Sequence, residues 1–150
     1  MKLPYSILPA EADAAFPERA SVSRPIVALH LARDGKEMVV FAIVDSGADQ
    51  CVFPASIAEA LGIPVPNQRA SAFSGSSQVS QVAYFDQVQA TILPMDAPNI
   101  EPGQEPISFP LYAGFCETLE HVGMGLLGQE GFFSRFTLRF DAAQNYFEVL

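Results

Sequence analysis

At 150 residues the chain is the size of one domain, long enough to bury a single core without a metal or a disulfide. Hydrophobic residues make up 49% and charged ones 17%, below the roughly 25% of ordinary soluble domains, so self-association is expected to bury some apolar surface. A net charge of −9, with the Lys and Arg residues scattered and no basic run, argues against nucleic acid and anionic membranes as partners.

The opening MKLPYSILPAEAD lacks an apolar stretch of secretory length and is interrupted by Pro4 and Pro9. Residues 1–23 read as an extended arm, with Tyr5–Leu8 as a candidate short strand. The domain proper is expected over 24–150. Pro25–Ala32 and Glu37–Val44 are apolar runs of strand length, rich in β-branched residues. Asp34-Gly35 between them signals a hairpin, because both central residues of its tight turn need positive φ.

Next, Pro54–Gly62 carries proline at its start, alanines within and glycine at its end, which predicts a short helix of about two turns. Ala70–Phe73, Val79–Phe85 and Gln87–Leu93 are strand candidates, with a turn at Phe73-Ser-Gly-Ser-Ser77 and another around Asp86. Residues 94–106, with four prolines, predict a surface loop. Ile107–Tyr112 is a strand candidate. Gln129–Phe136 reads as a second short helix with Phe132, Phe133 and Phe136 on one face. Phe136–Phe140 and Tyr146–Val149 then close the chain as two strands. Many short strands without strand–helix alternation predict an all-β, barrel-like domain. No segment reaches the roughly 18 apolar residues of a membrane span. Two cysteines make one pair at most, so the expected setting is a reducing cytoplasm.

Two chemical patterns are weak in context. Gly123-Met-Gly-Leu-Leu-Gly128 matches the dinucleotide fingerprint, but that motif must follow a strand and open a helix within a βαβ unit. The polar Cys116–His121 before it is not a convincing buried strand, and no cofactor is expected. Cys51, Cys116, His30 and His121 lack the close ligand spacing of a zinc site, and no metal is expected.

The stretch FAIVDSGAD, Phe41–Asp49, runs an apolar strand into a carboxylate. An apolar Cys51-Val-Phe53 follows soon after. A loop held between two core strands half-desolvates Asp45, where an unpaired carboxylate is costly. An ordinary turn is the alternative, since Asp, Ser and Gly all favour turns.

A hairpin, an apolar strand and then Asp-[Ser/Thr]-Gly-Ala-Asp resembles the active-site motif of the retroviral-type aspartic proteases, the retropepsins. Gly125-Leu126-Leu127-Gly128 resembles that family's two apolar residues and glycine, on a strand crossing behind the catalytic loop. Phe73–Val79 resembles the flap that closes over substrate, and Phe132–Phe136 the short helix that follows. The likeness covers roughly residues 24–150 and is nearest to the single-domain bacterial type.

The resemblance implies an all-β acid-protease barrel, one lobe per chain, and an aspartic endopeptidase acting on extended peptides. Asp45 would be the catalytic acid or base. Ser46, Gly47 and Ala48 would support it, Ser46 by bonding across a two-fold axis and Gly47 by letting its N–H approach the carboxylate. Asp49 would bind substrate main chain or cap its own loop. Gly75 and Ser76 would belong to the flap, and Leu126, Leu127 and Gly128 to the crossing strand. The chain has one Asp-Ser-Gly, so the site needs a homodimer, with the terminal segments Tyr5–Leu8 and Tyr146–Leu150 as candidates for an interchain sheet. Many retropepsins carry Arg after the glycine matching Gly128; here Gln129 can hydrogen-bond but cannot neutralise charge. The alternative reading is a catalytically silent module that dimerises or binds peptides on the same fold.

Overall fold

A computed structural model describes residues 1–74 and 80–150. The expected flap residues Gly75 and Ser76, and the first residue of the strand expected at Val79, lie outside the described residues.

The architecture is an all-β barrel with one short α-helix. The elements run β1 (Lys2–Pro4), β2 (Ser6–Pro9), β3 (Ser21–Arg24), β4 (Ile26–Arg33), β5 (Lys36–Val44), β6 (Val52–Pro54), α1 (Ala55–Ala60), β7 (Ala70–Ser74), β8 (Ser80–Leu93), β9 (Ile107–Cys116), β10 (Gly125–Leu127), β11 (Leu138–Asp141) and β12 (Tyr146–Val149). Strand order β4-β5-β10-β6-β9-β8 closes on itself through β4–β8, and β7 is added on the outside of β8.

The β4–β5 hairpin forms as its turn chemistry requires, with Asp34 at φ 48° and Gly35 at φ 79°. Along β5 the side chains alternate: Val40, Ala42 and Val44 are buried, while Val39 and Phe41 are exposed. The inward set joins Leu29, Phe53, Phe115 and Leu127 in the main core. Fully burying each large apolar side chain of this kind contributes roughly 1.5–3 kcal/mol. A smaller cluster of Val52, Ala83, Phe85 and Cys116, with Leu126 and Phe73 against it, covers the outer face of the same strands. Both faces of β6 and of the end of β9 are therefore apolar and buried, which breaks the simple alternation.

Several boundaries differ from the sequence expectation. β8 is one strand of 14 residues, not two strands separated by a turn at Asp86. Its first half pairs with β7 and its second with β4, while β9 pairs with it from Tyr84 to Ile92. β9 continues to Cys116 because β6 pairs with its end in parallel. The expected second helix is absent. Residues 129–136 form a chain of turns in which Phe133 and Ser134 donate to Gly128 and Gln129, five residues back. Gly131 takes φ +100°, which no helix accommodates. Phe136 and Phe132 still pack on Phe109, with centroids 5.0 Å and 6.1 Å away, and Phe133 meets Phe132 edge-on at 6.1 Å.

The N-terminal arm is more ordered than its composition suggests. β1 pairs with β12, and Leu3 is fully buried in the core. β2 and β3 make a separate two-stranded sheet. β12 lies between β1 and β11, so both its edges are used within the chain. Residues 146–149 consequently offer no free edge for an interchain sheet, contrary to the expectation for that segment. Among the described residues no helix is long and apolar enough to cross a membrane.

Candidate active site

β5 carries the chain from the core to Asp45, which is half-buried at the strand's end. β10 lies beside β5 in parallel, with Gly125, Leu126 and Leu127 opposite Ala42, Ile43 and Val44. The loop after β5 is bonded to the chain leaving β10. Asp45 N–H donates to the Leu127 carbonyl at 3.0 Å, Gln129 N–H to Ala48 at 2.9 Å and Glu130 N–H to Asp49 at 2.8 Å. The expected crossing strand thus backs the expected loop.

Gly128 makes this approach possible. A Cβ there would lie 2.5 Å from the carbonyl oxygens of both Ala48 and Gln50, closer than atoms can come. Gly125 leaves similar room for the Phe53 ring. These two glycines of the nucleotide-like pattern serve packing between strands.

Within the loop, Gly47 N–H donates to Asp45 Oδ1 at 2.9 Å, and Ala48 N–H to the Asp45 carbonyl at 3.2 Å. The first bond presents a backbone dipole to the carboxylate and fixes which oxygen faces the loop. A Cβ on Gly47 would sit 3.2 Å from that same oxygen. Ser46 and Gly47 are exposed, and Ala48 is half-buried. Gln129 Nε2 donates to the Ser46 carbonyl at 2.7 Å. At the position where the resemblance would put Arg, a neutral clamp to the loop backbone stands in place of an ion pair.

Asp49 is exposed, and its carboxylate takes no part in the loop's hydrogen bonds among the described residues. None of the ion pairs among the described residues involves Asp45 or Asp49.

Two features were missed by reading residues alone. Cys51 is fully buried directly behind the loop; its Sγ accepts from Gly128 N–H at 3.3 Å and donates to the Glu130 carbonyl at 3.3 Å. Burial pushes its thiol up to about 11, with backbone hydrogen bonds from Gly128 and Phe132 pulling the other way. Such a thiol is inert packing and a weak hydrogen-bonding link. The second feature is Asp86, buried and held by Arg33 at 3.2 Å and Arg69 at 2.9 Å. It sits where β8 exchanges β7 for β4, and Arg69 Nε also donates to the Phe85 carbonyl there. Nothing in the local sequence distinguishes Phe85-Asp86-Gln87 from a turn.

Among the described residues no three His, Cys, Asp or Glu side chains are grouped to hold a metal ion. Comparison of the chain with protein-family models, with curated proteins and with solved structures finds no match in any of the three.

Proposed function

We propose that this chain is an aspartic endopeptidase active as a homodimer, with one Asp45 from each copy. The observation that carries the reading is the loop itself. A half-buried carboxylate stands at the end of a core strand, held by the Gly47 N–H and backed by a glycine-dependent strand crossing. A turn of no consequence has no need of such reinforcement. Within one chain the carboxylate has no ion-pair partner among the described residues, which suits a group completed by a second copy.

In the dimer two carboxylates about 3 Å apart cannot both ionise, so the pair holds one proton at working pH. The ionised Asp45 takes a proton from water as the oxygen attacks the scissile carbonyl carbon. The protonated Asp45 gives its proton to the carbonyl oxygen, forming a gem-diol. As the C–N bond breaks, the carboxyl that took the water proton delivers it to the leaving nitrogen, while the other carboxylate takes a proton back from a gem-diol hydroxyl. A carboxylic acid and an amine leave, and the pair holds one proton again. The titration belongs to the pair, not to either chain. Because β12 is enclosed and Gln104 bonds both the N–H and the carbonyl of Lys2 on the outer side of β1, the edge of β11 and those of the β2–β3 sheet are better placed for backbone pairing with the partner.

The test is incubation of the purified protein with a mixed peptide library from about pH 4 to pH 7, beside Asp45→Asn. Cleavage by the wild type and none by the variant is the expected result. A dimer in sedimentation that cleaves nothing would favour the silent module, and a strict monomer at micromolar concentration would overturn the shared site.

A further inference from the structure

We propose that the pocket beside the candidate catalytic loop is a recognition site for an aromatic side chain. That the side chain belongs to the peptide substrate rests on the peptidase reading; the binding itself does not.

The pocket has a volume of about 350 Å³. One wall is Gln50 and Glu130, the residues directly beyond Asp49 and Gln129, joined to each other by a parallel bridge. The opposite wall is the start of β7 with Arg69 before it. Phe85 and Tyr112 complete the lining, their rings stacked with centroids 5.3 Å apart and planes at 30°. Phe85 is buried at 5% exposure, whereas Tyr112 stays 49% exposed and leaves an aromatic surface available.

The chemistry selects the occupant. Volumes of roughly 300–1,000 Å³ suit small organic groups, and an aromatic ring fits such a space. A ring entering here can stack on Tyr112, a gain beyond its buried area. Arg69 is fixed by its bonds to the Phe85 carbonyl and to Asp86, so its guanidinium plane is preset as a cation–π partner. A lysine or arginine side chain would meet that same guanidinium. An acidic one would meet Glu130, so with one cation and one anion in the lining neither sign of charge finds an unopposed partner. An aliphatic side chain gains neither stacking nor cation–π attraction.

The position also fits a path for an extended peptide. Glu130 N–H is bonded to Asp49, so the pocket wall and the loop carrying Asp45 are one continuous piece of structure. A peptide residue placed near Asp45 would have the pocket within a few residues along its strand, at about 3.3 Å per residue.

Backbone NMR titration with N-acetyl-tyrosine amide, N-acetyl-leucine amide and N-acetyl-lysine amide tests the binding. The tyrosine probe is expected to give saturable shifts at Arg69, Tyr112 and Gly131, about fivefold tighter than the other two. Tyr112→Ala should abolish the preference and Tyr112→Phe should retain it. Absence of saturable shifts there, or equal affinity for the three probes, overturns the proposal on the wild-type chain alone, whatever the variants do. A cleavage assay separates the two readings. A protein that binds the tyrosine probe but cleaves nothing keeps the pocket and loses the peptidase. A protein that cleaves, with no aromatic preference and no shifts at the pocket, loses the pocket alone.

Discussion

Gln129 donates its side-chain amide to the Ser46 carbonyl at 2.7 Å, tying the chain that leaves β10 to the loop that presents Asp45. The bond is exposed and neutral, so its net contribution to stability is about 1 kcal/mol. Its larger effect is on position, because Ser46 adjoins the carboxylate. Gln129→Leu should lower the melting temperature by about 2–4 °C and speed amide exchange at Gly47. On the peptidase reading, kcat should fall more than KM changes, since the lost bond orients the reacting group. Unaltered exchange at Gly47 would remove Gln129 from the loop's support.

Gly128→Ala is a sharper test of the same crossing. The added methyl would press on two backbone oxygens at 2.5 Å, and neither can move without disturbing the bond at Ala48 or the bridge between Gln50 and Glu130. A loss of about 3 kcal/mol is expected, measured as the midpoint of urea unfolding. A midpoint within error of the wild type would mean that β10 does not pass so close to the loop.

The legible parts of this fold were those with local causes. Asp34-Gly35 announced the hairpin because both positions need positive φ, and both have it. The apolar run into Asp45 announced a strand that delivers a carboxylate to the edge of the core. The helix at Ala55–Ala60 was framed by Pro54 and Gly62. What could not be read had distant causes. Asp86 looks like a turn residue because one of its arginines lies 53 positions upstream in the chain. Residues 129–136 have helical spacing of phenylalanines, yet Gly131 turns the backbone to φ +100° while Phe132 and Phe136 still reach Phe109. β1 gave no sequence signal beyond three residues, since its stability comes from β12 at the other end of the chain.

Asp86→Ala should therefore be costly although Asp86 lies outside the candidate catalytic loop. Removing it leaves Arg33 and Arg69 facing each other across the point where β8 changes partners. Arg33 is the more enclosed, with 24% of its side chain exposed against 52% for Arg69, so Arg69 can swing to solvent while Arg33 keeps only its pair with the exposed Asp34 at 3.1 Å. A destabilisation of about 3 kcal/mol is expected in urea unfolding. The comparison is Arg139→Ala, which breaks an exposed pair with Glu148 and should cost less than about 0.5 kcal/mol. Equal effects would show that the Asp86 cluster is an ordinary surface pair.

Cys51 gives the fold a dependence on alkaline pH with a definite sign. The thiol ordinarily titrates near 9.0, and burial raises it to about 11 in the folded chain. Between those values the unfolded chain has lost the proton and the folded chain has kept it. The unfolded state thus binds fewer protons, and stability falls as pH rises. The contribution is fully present below about pH 9 and is lost as pH climbs through about 11, a decline of roughly 2–3 kcal/mol. Urea unfolding of the wild type and Cys51→Ala should show the two curves converging toward pH 11. The variant begins lower, because it loses the thiol's contacts to Gly128 and Glu130, but lacks this source of alkaline decline. Curves that stay parallel across that range would mean that the thiol ionises as readily behind the Asp45 loop as it does in water.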